Sequence, residues 1–120
     1  MHLLVIDDSS VIRKAMRRIL EERGHTVDEA GDGAAALERL RTGAYQAVLC
    51  DIDMPVMDGL TFVSTLRAAR ELAQPPIVMC STHNSFERIT DALERGANEY
   101  IMKPFDGDIV DAKLAACGIQ

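Results

Sequence analysis

A chain of 120 residues, 48% hydrophobic and 27% charged, has the size and balance of one globular domain with room for a core. A net charge of −6 excludes the basic footprint of a nucleic-acid binder, and no apolar run reaches the length of a membrane span. Three cysteines without framework spacing exclude a disulfide scaffold and read as reduced thiols in a cytoplasmic protein.

The start, "MHLLVIDDSS", has no basic region and too short an apolar stretch for a signal peptide. Its run Leu3 to Ile6 is of strand length and is followed by Asp7 and Asp8. Ile12, Ala15, Met16, Ile19 and Leu20 then recur at helical spacing, with Ser9 or Ser10 as the cap and Gly24 as the stop. Arg13, Arg17 and Arg18 read as the solvated face of this helix. "HTVDEA", from His25 to Ala30, is polar and alternating, which predicts an edge strand. An alanine-rich helix carrying Leu37 and Leu40 precedes Gly43.

"AVLC", from Ala47 to Cys50, is apolar throughout and runs into Asp51, Asp53 and Asp58. A third helix with Val63 and Leu66 must end before Pro75 and Pro76. "IVMC", from Ile77 to Cys80, leads to Ser81 and Thr82. The fourth helix, with Ile89, Ala92 and Leu93, is capped near Asn84 or Ser85 and closed by Gly96. "EYIM", from Glu99 to Met102, leads to Lys103 and Pro104, and a last helix runs from about Asp108 to Cys117 with Asp106 as its cap. His2, His25 and His83 read as surface or loop positions. Cys50, Cys80, Met54 and Met57 read as packing residues rather than ligands.

Strand and helix alternate five times, which implies a single α/β domain with a parallel sheet between helices. In such sheets ligands bind beyond the carboxyl ends of the strands. There this sequence places Asp7 and Asp8, Asp51 and Asp53, Ser81 and Thr82, and Lys103. Two carboxylates ~5 Å apart repel by roughly 3 kcal/mol at an effective dielectric of ~20, so Asp7, Asp8 and Asp51 do not serve stability. Hard oxygen donors in a cluster suit Mg²⁺, and Lys103 can neutralise part of the remainder. A metal, an ammonium and a hydroxyl around one aspartate are the equipment of phosphoryl transfer, in which an aspartate can be the nucleophile. The plain alternatives are a turn or cap role for Asp51, a helix-start role for Asp-Asp-Ser-Ser and a loop role for Ser81.

"LLVIDDSSVIR", "AVLCDIDMPVMDGL", "PPIVMCST" and "GANEYIMKPF" together resemble, in order and spacing, the receiver domain of two-component response regulators. The likeness spans the chain and leans to the CheY-like stand-alone chemotaxis regulators, so residues 1–120 are expected to form one receiver domain. The resemblance implies a doubly wound (βα)5 flavodoxin-like fold, its five-stranded parallel sheet in the order 2-1-3-4-5. It implies that Asp51 accepts the phosphoryl group. Asp8, Asp51 and the backbone carbonyl of Asp53 correspond to Mg²⁺ ligands, and Asp7 to the acid that acts on the metal through water. Lys103 corresponds to the lysine on the phosphoryl oxygens, Ser81 to the switch hydroxyl and Tyr100 to the aromatic that moves with it. Pro104 corresponds to a proline whose peptide bond is usually cis. Met54, Pro55, Asp58 and Gly59 correspond to the turn beneath the site. Thr82, larger than is common beside the switch hydroxyl, would crowd Tyr100. Asp53 and His83 fall where the family varies the side chains that tune dephosphorylation, and the family's usual tryptophan reporter is absent.

The partners so implied are a sensor histidine kinase and a downstream protein, with the flagellar motor switch the leading candidate in chemotaxis. The chain is expected to be a monomer without nucleic-acid or membrane contacts and, since it stops after "AACGIQ", without an output domain. It is expected to be a phospho-accepting signalling domain that assists its own phosphorylation and dephosphorylation rather than an enzyme. A phosphate sink, a relay carrier and a receiver excised from a longer regulator are variants of the same reading. A haloacid-dehalogenase-like aspartyl phosphatase shares Asp-x-Asp after a strand, but it carries Thr or Val where Pro55 stands, on its first strand. A flavodoxin-type flavin carrier shares the fold, but "DDSS" lacks phosphate-cradling glycines.

Overall fold

The computed structural model describes residues 1–82 and 85–119. Five strands alternate with five helices: β1 (His2–Ile6), α1 (Ser10–Glu22), β2 (Thr26–Ala30), α2 (Gly33–Thr42), β3 (Ala47–Asp51), α3 (Gly59–Ala68), β4 (Ile77–Ser81), α4 (Phe86–Arg95), β5 (Glu99–Met102) and α5 (Gly107–Ala116). The strands form one parallel sheet in the order β2-β1-β3-β4-β5. This is the expected doubly wound fold and strand order, with β2 and β5 at the edges. Among the described residues no helix is long and apolar enough to cross a membrane.

The central strands carry continuous apolar runs, Leu3 to Ile6, Ala47 to Cys50 and Ile77 to Cys80, because both faces are covered. Leu4, Ile6, Val48, Cys50, Ile77 and Met79 face α2, α3 and α4, packing on Leu37, Phe62, Val63, Leu66 and Ala92. The alternate residues Leu3, Val5, Leu49, Val78, Cys80 and Ile101 face α1 and α5, packing on Met16, Leu20, Val110 and Leu114. Cys50 and Cys80 are thus buried free thiols in the core, on opposite faces of the sheet. Met54 is also buried, and Met57 packs over Gly33.

Each helix begins with a side-chain cap that accepts a backbone N–H of the first turn: Ser9 from Ile12, Asp32 from Ala35, Asp58 from Thr61, Ser85 from Arg88 and Asp106 from Ile109. Ser9 and Ser85 therefore take the cap positions left open by the sequence, while Asn84 lies outside the described residues. Gly24, at φ +87°, turns the chain out of α1, and the His25 N–H reaches back to the Leu20 carbonyl at 3.2 Å.

His2 is partly exposed at the surface, as expected, at the start of β1, where it hydrogen-bonds Thr26 Oγ1 at 2.7 Å and Asp28 Oδ2 at 3.1 Å and stacks on the Tyr45 ring. Two sequence expectations are corrected. His25 is buried between the chain start and α5, with Nδ1 3.2 Å from the Met1 amine. Arg13 and Arg17 are half-buried clamps on Glu29 of β2, at 3.0 and 2.8 Å, and of the three only Arg18 is exposed. His83 lies outside the described residues.

Candidate functional site

The carboxyl edge of the sheet gathers side chains from four loops. Backbone bonds continue the ladder past the strand ends: Asp7 N–H to the Ala30 carbonyl, Ile52 N–H to Cys80, and Lys103 N–H to Ser81 at 2.8 Å. These bonds hold the first residue of each loop in register with its neighbours.

Lys103 is the centre of the site. Its Nζ donates to Asp7 Oδ2 at 2.9 Å and to Asp51 Oδ1 at 3.0 Å, joining residues 96 and 52 positions away. The peptide bond from Lys103 to Pro104 is cis. The second oxygen of Asp7 is also committed, since Oδ1 accepts the Ser9 N–H at 2.9 Å. Arg13 Nη1 donates to the Asp7 carbonyl at 2.7 Å. Asp7 and Asp51 are buried, whereas Asp8 is exposed beside them.

The electrostatics follow from this burial. Desolvation pushes the Asp51 carboxyl above its ordinary range; the Lys103 hydrogen bond opposes this, and the charges of Asp7 and Asp8 add to it. Burial would lower Lys103, but its hydrogen bonds to Asp7 and Asp51 outweigh that and hold the ammonium above its usual range. Three carboxylates face one ammonium, which leaves two negative charges, the charge that a divalent cation balances. Asp7, Asp8 and Asp51 each offer a carboxylate oxygen, and these oxygens lie within 4.8 Å of one another. Two oxygens on one Mg²⁺ at about 2.0–2.1 Å can be no more than about 4.2 Å apart, so a small contraction suffices. The donor set is all oxygen, as a hard cation requires. It fits Mg²⁺.

Asp53 is exposed, and its carboxylate is 3.5 Å from Arg88 Nη2 on α4. Ser81 is fully buried at the end of β4, paired with Met102. Tyr100 is buried on β5 in the same core cluster as Ala92, with Ile89 of α4 packed against that cluster. The exposed Thr82 therefore does not keep this tyrosine out of the core.

The turn beneath the site is tightly built. Asp58 caps α3, and the Gly59 N–H donates to the Ile52 carbonyl at 2.8 Å. A Cβ on Gly59 would overlap the Asp51 carbonyl oxygen and come within 2.8 Å of Met79 Cε. Glycine is needed here for close approach rather than for its backbone angles. Val56, at the loop tip, has φ +69° and is 85% exposed, which is strained for a β-branched residue.

The structure thus brings Asp7, Asp51 and Lys103 into contact, with a carboxylate oxygen of Asp8 within 4.8 Å of the two acids, Ser81 one strand away and Tyr100 on β5. Sequence reasoning missed Arg88 and the Arg13 contact to Asp7. Both arginines sit on helices at positions with no local signal: the partner of Arg88 is distant in the chain, and Arg13 reaches back from α1 to the Asp7 carbonyl.

Comparison with known proteins shows the family to which this fold and chain belong. The response regulator receiver domain model matches residues 3–115. Chemotaxis protein CheY-3 of Vibrio cholerae is 35% identical over 115 residues, which cover 95% of this chain and 88% of that protein. Chemotaxis protein CheY of Pseudomonas aeruginosa is 31% identical, covering 95% and 93%. The crystal structure of CheY4 of Vibrio cholerae superposes with a TM-score of 0.90 at 30% identity, over 97% of both chains. The receiver domain protein of Methanospirillum hungatei superposes with a TM-score of 0.84 at 25% identity, over 95% of this chain and 90% of that one.

Proposed function

The chain belongs to the response regulator receiver domain family, the signalling module of two-component systems, and from that premise we propose that Asp51 is its phosphoryl acceptor. The observation that carries the reading is the double contact of Lys103 with Asp7 and Asp51 inside a three-carboxylate cluster. A phosphohistidine on a sensor kinase donates. The nitrogen–phosphorus bond breaks, a bond forms between an Asp51 carboxylate oxygen and phosphorus, and the imidazole leaves and takes up a proton. Lys103 follows the charge onto the phosphoryl oxygens, and the Ser9 N–H keeps Asp7 aimed at the site. Asp8, Asp51 and the Asp53 carbonyl would hold Mg²⁺, with Asp7 acting through water; the ion supplies positive charge to the transferring oxygens.

Ser81 and Tyr100 carry the change outward. Ser81 lies beside β5, and Tyr100 shares a core with α4, so a hydroxyl drawn toward a phosphoryl group leaves space that the ring can follow. The output is a protein contact on the face of α4, β5 and α5. Chemotaxis, with the flagellar motor switch as target, is the role favoured by the names of the relatives. The aspartyl phosphatase alternative would use Asp53 as acid/base, but that carboxylate is half-exposed and directed to Arg88.

Amide NMR spectra with Mg²⁺, before and after adding beryllofluoride as a phosphoryl mimic, test the output face. The expected shifts include Asp7, Asp51, Ser81 and Lys103 and extend to Ile89, Tyr100 and α4. Shifts confined to the loops at the strand ends would remove the proposed signalling route.

A further inference from the structure

Lys103 and Arg13 touch residues of the acidic cluster, and Arg88 touches Asp53, two residues beyond Asp51. Lys103 is bonded to two carboxylates. Arg13 is held by Glu29 and by the Asp7 carbonyl. Arg88 differs from both. Its backbone N–H is fixed by the Ser85 side chain at 3.1 Å, in the first turn of α4. Among the described residues its guanidinium has a single acidic partner, Asp53, at a loose 3.5 Å, with both side chains partly open to solvent. The base of this arginine is anchored, then, and its tip is exchangeable.

Asp53 lies two residues beyond Asp51, a span of at most about 7 Å of chain. A phosphoryl group carries about −1.5 to −2 charge and three strong acceptor oxygens, which a planar guanidinium binds better than a single exposed carboxylate. We propose that Arg88 is a binding residue for the phosphoryl donor: its guanidinium waits on Asp53 and transfers to the oxygens of the phosphoryl group entering above Asp51. This rests on Asp51 being the acceptor. It also gives α4 a direct contact with the occupied site, separate from the route through Ser81 and Tyr100.

Acetyl phosphate is a suitable probe, because it is a small anionic donor that needs no kinase. Its acyl oxygen–phosphorus bond breaks, the Asp51 oxygen–phosphorus bond forms, and acetate leaves with the bonding electrons. Initial rates are measured at saturating Mg²⁺ and low donor concentration by intact mass. Arg88→Ala is expected to slow modification about tenfold, and Arg88→Lys to stay within about threefold of wild type. Asp53→Asn releases the guanidinium and is expected to act in the opposite direction, about threefold faster. The double variant should fall back to the rate of Arg88→Ala. Melting curves establish that the variants are folded.

An unchanged rate in Arg88→Ala overturns the proposal. So does Asp53→Asn slowing the reaction as Arg88→Ala does, since the pair would then be only a structural tether. A double variant as fast as Asp53→Asn overturns it too, because Asp53 would then act by its charge alone. If the wild-type protein is not modified at Asp51 at all, the acceptor reading falls, and the role of Arg88 falls with it. If Asp51 is modified at equal rates with and without Arg88, only the role of Arg88 falls.

Discussion

Removing one charge from the cluster of Asp7, Asp8 and Asp51 is expected to stabilise the fold. Each close carboxylate pair costs up to roughly 3 kcal/mol before water and salt screen it. Lys103 offsets only part of this, since one ammonium serves two of the three acids. Asp51→Asn keeps the side chain's shape and an oxygen for Lys103. It should melt several degrees above wild type in EDTA, a gain of ~1 kcal/mol in a domain of this size. It should also gain less than wild type from Mg²⁺, because a ligand stabilises only as far as it binds the native state. Melts in EDTA, in MgCl₂ and in NaCl of matched ionic strength separate binding from screening. Asp51→Asn melting below wild type in EDTA would contradict the repulsion account. Gly59 makes a second residue-scale case. A Cβ there meets backbone on β3, which cannot step aside, so Gly59→Ala is expected to cost about 1–3 kcal/mol in denaturant unfolding.

Helix α1 is fastened to β2 by charge as well as by its apolar face. Glu29, 13% exposed, accepts from Arg17, Arg13 and Lys14. The Arg17 hydrogen bond leads in holding its carboxyl down, against burial, to about 2. The folded value is below the unfolded one, so the stabilisation is present above about pH 4.5 and is lost as pH falls toward about 2. Lys14 is well exposed and Arg17 partly so, which lets solvent screen the clamp, so the contribution is on the order of 1–2 kcal/mol rather than the full shift. Glu29→Gln should lower stability by that amount at pH 7 and have a flatter pH dependence between those limits, as urea unfolding at a series of pH values would show. Nothing local announces this clamp. Positions 13 and 17 look like an ordinary solvated helix face until β2 is placed beside them. The strands were legible because a run such as Ala47 to Cys50 is apolar at every position, and only a sheet covered on both faces uses such a run. The end of α3 was not. Pro75 set only an outer bound, and the helix stops at Ala68 because the Gln74 amide returns to the Leu66 carbonyl at 2.8 Å and to Ala69 at 3.0 Å.

At the scale of the molecule, the sheet is a device for delivering distant residues to one edge. Asp7, Asp51, Ser81 and Lys103 were legible as a set because each follows an apolar strand, and a parallel sheet aligns all such positions. Their contacts were not legible, since only the fold decides that Lys103 spans Asp7 and Asp51 rather than facing Asp8. Arg88 was invisible for the same reason, its partner being set by how α4 leans over the loop after β3. The account as a whole depends on one chemical event, the formation of an acyl phosphate on Asp51. Incubation with acetyl phosphate and Mg²⁺, followed by intact mass, tests it most directly. A single added phosphoryl group is expected in wild type, and none in Asp51→Asn or in EDTA. A phosphoryl group that persists in Asp51→Asn, or forms equally well in EDTA, would contradict the account.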